Sequence, residues 1–298
     1  MFLKLLKHDM RSVFKLWWFV LPVIPVLVLI DAVAIRIFTQ IIHNMSYVTA
    51  PVSGDKAAFL SLVSMLAYLL FLGVTVLLSL TVFYTLFLVL FRFFKNMFTD
   101  EGYLTFTLPV KRSTVLLSKT VNGFIWMTLH GILLGIGVVF IFLVALPTKQ
   151  NEFLFGFSAF KAIAETVWTD IVATYGISIL TPIVLLVYSL LTTLSSIGLF
   201  YLCLTIGALI VKKFKLAAGI GIYVVIQWIV PTIISFFVYA FSFVFAILLG
   251  TIALMSGAVA MELMLIIGLA MMCVLTAIEG HVYYFITRNC LERRLNLA

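Results

Sequence analysis

The sequence predicts an all-α membrane protein of six transmembrane helices, and three observations carry that prediction. Of its 298 residues, 64% are hydrophobic and only 10% charged, with mean hydropathy +1.27, which is more apolar surface than a water-soluble core of this length can hide. The apolar residues fall in stretches long enough to cross a hydrocarbon layer of about 30 Å, a distance that takes roughly 20 helical residues. Period-2 alternation is missing, so the spanning element is the helix, which satisfies its own backbone groups in lipid.

The first element is "MFLKLLKHDMRSVFKLWW". Helical spacing puts Phe2, Leu6, Met10, Val13 and Trp17 on one face and Lys4, Lys7, Arg11 and Lys15 on another. This predicts an amphipathic interfacial helix over 1–16, ending at a Trp17-Trp18 anchor. The "AVA" at 32–34 resembles a signal-peptidase site, but the apolar run continues past it to Ile42, so the segment reads as a span.

Spans are expected at 17–42, 57–93, 117–146, 171–211, 216–249 and 258–287. The last two divide one apolar run at its weak break, "GTIALMSG" at 250–257. The second and fourth exceed what a bilayer needs and are expected to tilt, break or project into water. Lysine and arginine sit overwhelmingly on one side of this plan. Fifteen fall in the opening segment, the 92–119 loop, the 212–215 loop and the closing segment, against Lys56, Lys149 and Lys161 opposite. The positive-inside rule then places both termini in the cytoplasm. The net charge of +8 follows from that rule and from anionic lipid, with no nucleic-acid partner required.

An enzyme needs a site, and HExxH, GxSxG and GxxxxGK[ST] are all missing from the sequence, so the chain reads as a non-enzyme. Cys203, Cys273 and Cys290 are isolated, and the four histidines fall at different depths, so no metal is expected. Intramembrane charges are costly and often mark a pathway, which makes Asp31, Arg36, Glu262 and Glu279 candidate substrate-path residues beside a structural reading. Asp31 and Arg36 are about 140° apart around one helix, so each is expected to partner another helix or to reach outer water. "GILLG" at 131–135 and "TTLSSIG" at 192–198 fit close helix packing, and either could instead line a wetted path. Pro22, Pro25, Pro182 and Pro231 are expected to kink or break helices.

The loop "RFFKNMFTDEGYLTFTLPVKRSTVLLSK" at 92–119 concentrates the chemistry. Thr99 and Asp100 are turn residues, Gly102 permits positive φ, and Pro109 suits the start of a new element. A helical hairpin over 94–116 is expected, its second arm a short helix. Its tip would expose Phe98, Tyr103 and Phe106 among Asp100, Glu101, Lys111 and Arg112, the pattern of a docking knob or of aromatics resting at a membrane interface.

From Arg92 to Val110 the pattern R-F-x-K-N-x-x-x-D-E-G-Y-L-x-F-T-L-P-V resembles the ABC-2-type permeases of Gram-positive ATP-binding-cassette exporters. The opening "LKLLKHDMRS" and the closing "LERRLNLA" look like the ends of that branch. The resemblance implies one permease domain over 1–298, with a coupling helix that docks on a separate ATPase through Phe98, Asp100, Glu101, Gly102, Tyr103 and Phe106. It also implies a re-entrant external turn at 250–262. ATP and Mg would be bound by the ATPase subunits and no cofactor by this chain. A second permease subunit, as a homodimer, and the bacterial cytoplasmic membrane complete the expected setting. The general look is similar to permeases exporting phenol-soluble modulins, which makes an amphipathic peptide the expected substrate. Antimicrobial peptides and small drugs are competing substrates, and an ion-coupled secondary transporter or a non-transporting scaffold or sensor are the alternatives from other classes.

Overall fold

The computed structural model describes residues 2–47, 54–99, 101–102, 110–146, 158, 161–162, 164–166, 169, 180–211, 213–256 and 258–293, without the side chains of 44–47, 234, 237–256, 258–264 and 293. The described residues contain no strand. Seven helices carry the chain: α1 (Phe2–Trp17), α2 (Val20–Tyr47), α3 (Gly54–Phe98), α4 (Arg112–Ala145), α5 (Leu180–Ile210), α6 (Lys215–Ser256) and α7 (Ala258–Arg293). All but α1 are long and apolar enough to cross a membrane. Their most apolar windows are at most one-third buried, and large side chains such as Phe59, Ile136 and Trp228 face outward. Surface of that kind belongs against acyl chains, and the chain is a multi-pass membrane protein.

Of Pro22, Pro25, Pro182 and Pro231, the first marks a joint. Helix α1 is separated from α2 by Trp18 and Phe19 alone. Pro22 has no N–H for the Trp18 carbonyl, and its ring crowds that oxygen, so the ladder breaks there and the Leu21 N–H serves Trp18 at 3.3 Å instead. Pro25 and Pro231 lie inside α2 and α6, while Pro182 falls in the first turn of α5, where its missing donor is harmless. The over-long second span does not break. Helix α3 is continuous for 45 residues, about 67 Å at 1.5 Å per residue.

The chain divides into two compact units. One comprises Phe14–Phe87 and Leu129–Trp168. Its polar centre is His130, which is 1% exposed and lies between Thr81 (3.3 Å) and Thr85 (2.9 Å) of α3. Trp17 Nε1 donates to the same Thr85 hydroxyl at 3.0 Å, and that hydroxyl donates to the Thr81 carbonyl. A histidine protonated on Nδ1 satisfies Thr85 completely, with two donors in and one proton out. Arg36 of α2 reaches the end of α4 and donates to the carbonyls of Val144 and Leu146. A cation there meets both the orphan carbonyls and the negative end of the helix dipole. Gly137 is needed where α4 meets Val28, since a Cβ would stand 2.6 Å from its Cγ2.

The other unit comprises Met1–Val13, Leu88–Thr128 and Thr169–Ala298. Helix α5 packs along both α6 and α7 within it. Small residues set these approaches: Gly280 of α7 faces Ser195 of α5, and Gly198 of α5 faces Tyr283. Backbones nearly touch at Gly207 of α5 and Gly219 of α6, where a Cβ on Gly207 would lie 2.4 Å from the Gly219 nitrogen. Phe200 and Tyr223 stack beside this crossing, their ring centres 3.7 Å apart. Within the 192–198 run, Ser195 and Gly198 pack against α7 as expected, while Thr192 and Ser196 are exposed. The 131–135 motif does not: a Cβ on Gly131 or Gly135 meets nothing within 4 Å.

These clearances separate two kinds of glycine. Gly207→Ala is expected to lower stability by about 1–3 kcal/mol through overpacking, whereas Gly135→Ala should leave it unchanged or slightly raised. Thermal unfolding of both variants in detergent checks the difference.

Candidate functional site

The described residues of the 92–119 region, 92–99, 101–102 and 110–119, share a polar network with a buried centre. Asp9 of α1, 4% exposed, meets two consecutive residues of α4: its Oδ2 accepts from Ser118 at 3.0 Å, and its Oδ1 pairs with the Lys119 ammonium, also buried. Asn96 lies on the other side of Lys119. With its amide oxygen toward Lys119 and its nitrogen toward Glu101, it accepts from the ammonium at 2.6 Å and donates to Glu101 Oε2 at 2.8 Å. Lys95 holds the other Glu101 oxygen at 2.8 Å. The chain of contacts thus runs from α1 through the first turns of α4 and the end of α3 to Glu101.

Three further ties reach the same region. Arg92 donates to the Ser12 carbonyl of α1 at 3.4 Å. Tyr201 of α5 donates to the Lys119 carbonyl at 3.2 Å while its ring stacks on Phe93, centres 3.8 Å apart and planes within 10°. Stacking of this kind is worth about 0.5–1.5 kcal/mol beyond the area it hides. Gly123 lets α4 approach, because a Cβ there would be 2.8 Å from Val89 and 3.2 Å from the Tyr201 hydroxyl. At the start of α4, Arg112 donates to the Leu291 carbonyl of α7 at 2.6 Å, and Tyr284 of α7 donates to the Ser113 carbonyl at 3.3 Å.

Several sequence expectations change here. Phe98, expected among the exposed aromatics, is 6% exposed and packs edge-on against Phe93, so its ring belongs to the core. Gly102 is buried, and the need for glycine comes from a close approach rather than a left-handed φ: a Cβ would lie 2.7 Å from the Met97 carbonyl oxygen. Its N–H donates to the Thr99 carbonyl at 2.7 Å. The short helix expected before the third span is the first part of α4 itself, which runs unbroken from Arg112. Glu101 is half-exposed and held by Lys95 and Asn96. Asp100, Tyr103, Phe106 and Pro109 lie outside the described residues.

The candidate path residues separate. Asp31 is buried and accepts from Thr75 of α3 at 3.2 Å, and Arg36 is engaged at the end of α4, so each finds a partner on another helix. Glu262 stands in α7, with its side chain outside the described set. Glu279 lines a cavity between α5, α6 and α7. The backbone is helical through Ser256 and again from Ala258, and residue 257 lies outside the described residues.

Asp9 was the residue that periodicity could have exposed. It stands four and eight residues before Val13 and Trp17, in line with the apolar stripe of α1, while Lys4, Lys7, Arg11 and Lys15 are exposed. An acid on an apolar stripe needs a cation on whatever covers it.

Comparison with protein-family models, curated proteins and solved structures gives no match to this chain.

Removing one member of a buried ion pair strands the other, which commonly costs about 3–5 kcal/mol, whereas replacing both with apolar groups of similar size is often neutral. Asp9→Leu and Lys119→Met are each expected to reduce the yield of monodisperse protein sharply. The double variant should recover most of it. Fluorescence-detected size exclusion of the three variants checks this.

Proposed function

We propose that the chain is the permease subunit of an ATP-driven ABC-2-type exporter, moving an amphipathic substrate, with a peptide as the best candidate, out of a bacterial cell across the cytoplasmic membrane. The 92–119 segment is its coupling hairpin, and α1 lies along the inner membrane surface with both termini cytoplasmic. The observation that carries the reading is the buried network beneath that segment. Glu101, which also pairs with Lys95, is linked through Asn96 and Lys119 to Asp9 of α1, and Arg112 and Ser113 are tied to α7. A loop that only connected two spans would need no such foundation. One that receives a push must not yield locally, and charged groups sharing buried hydrogen bonds yield little.

The resemblance of residues 92–110 to coupling hairpins agrees with that mechanical argument, as does the lack of a phosphate-binding loop in a chain that would do work. ATP and Mg belong to a separate ATPase. Two permease subunits, as a homodimer, enclose the path, and closure of two ATPases on ATP displaces the hairpins. Rigid helices carry this displacement into a shift between inward-open and outward-open populations.

Tyr103→Ala combined with Phe106→Ala is expected to cut co-purification of the ATPase at least tenfold while leaving the permease inserted and monodisperse. Equal recovery of the two subunits, or substrate flux that follows an ion gradient without ATP, would reject the exporter reading. A soluble reading frame with a phosphate loop beside the gene would supply the ATPase to test.

A further inference from the structure

The cavity between α5, α6 and α7 has a volume of about 410 Å³, within the range of small-molecule sites. Its one carboxylic acid, Glu279, faces a lining in which several hydroxyls have their protons already engaged. Thr192 and Ser196 of α5 donate their hydroxyl protons to their own helix, to the carbonyls of Tyr188 and Thr192 at 2.8 Å, and Ser235 of α6 donates to Thr232 at 2.9 Å. Each oxygen therefore offers only lone pairs to the cavity. Pro231 also lines it and cannot donate to the carbonyl of Gln227, the lining residue one turn before it. Glu279 makes no hydrogen bond or ion pair among the described residues, and the lining contains no lysine, arginine or histidine. Glu279 lies about 20 Å before Glu292 along α7, well inside the span.

The described lining thus brings an acid and three acceptor-only hydroxyls together with no cation, its donors being neutral hydroxyls and the Gln227 amide. An unpaired carboxylate is costly there until a positive group arrives. Leu199, Val230, Met272 and Leu275 supply apolar wall, and Tyr188 and Tyr283 offer ring faces that also attract cations.

We propose that this cavity binds the cationic head of an amphiphile, an ammonium or guanidinium carried on an apolar body, with Glu279 as its counter-ion. The inference rests on the exporter reading only in treating that ligand as cargo; the binding itself needs neither ATPase nor ATP. Two sources share the chemistry, a lysine-bearing amphipathic peptide and an amine-headed lipid.

The test uses the full chain alone in nanodiscs, titrated with a fluorescent long-chain ammonium probe and with a sulfonate probe of equal chain length. The ammonium is expected to bind at least tenfold more tightly. Glu279→Gln, nearly isosteric, should remove that preference without lowering the melting temperature. Thr192→Phe, at an exposed position, should fill the cavity and abolish binding. Competition by a lysine-containing amphipathic peptide identifies cargo, and competition by phosphatidylethanolamine added to the disc identifies lipid. Equal affinity for the two probes, or a preference untouched by Glu279→Gln, overturns the assignment. Because no ATPase is present, that failure is separate from failure of the co-purification experiment.

Discussion

In hydrocarbon a polar side chain has no water to turn to, so its partner must come from the protein or it pays the full price of desolvation. That constraint explains most of what holds these helices together. The apolar surfaces of α2 to α7 are as comfortable against lipid as against one another and select no arrangement by themselves. Selection comes from the few groups that cannot face lipid. Asp9 must find Lys119, Arg36 must find the end of α4, and His130 must find Thr81 and Thr85. Each pairing fixes one helix against another far away in sequence, and together they give a greasy chain defined contacts.

The spans were legible because hydrophobic length is a one-dimensional property. The expected 57–93 lies inside Gly54–Phe98, 117–146 overlaps Arg112–Ala145, and 216–249 and 258–287 lie inside Lys215–Ser256 and Ala258–Arg293, although the expected break at 250–257 is helical through Ser256. Proline chemistry was equally local, which is why the joint at Trp18-Phe19 follows from Pro22. The partners of Asp31 and Arg36 were foreseen only in kind: angular separation on one helix showed that they could not meet, without showing which helix would supply Thr75 or Val144.

Tertiary approach was where the reading ran out. Gly131 and Gly135 have the spacing of a packing motif, yet the glycines that α4 needs are Gly123 and Gly137, a distinction set by neighbours and not by spacing. Phe98 looked exposed because charged residues surround it in sequence, but Phe93, five residues earlier and on another part of the helix face, gives its ring a place to hide. Lys119 was counted as one more positive charge favouring one side of the membrane. Its burial beside Asp9, 110 positions away, depended on two helix faces meeting.

The uninterrupted length of α3 has a geometric consequence. A bilayer's apolar layer is about 30 Å thick, and a straight helix of about 67 Å extends well past it. If such a helix tilts as a unit by about 10° about one tip, the opposite tip is displaced by about 12 Å.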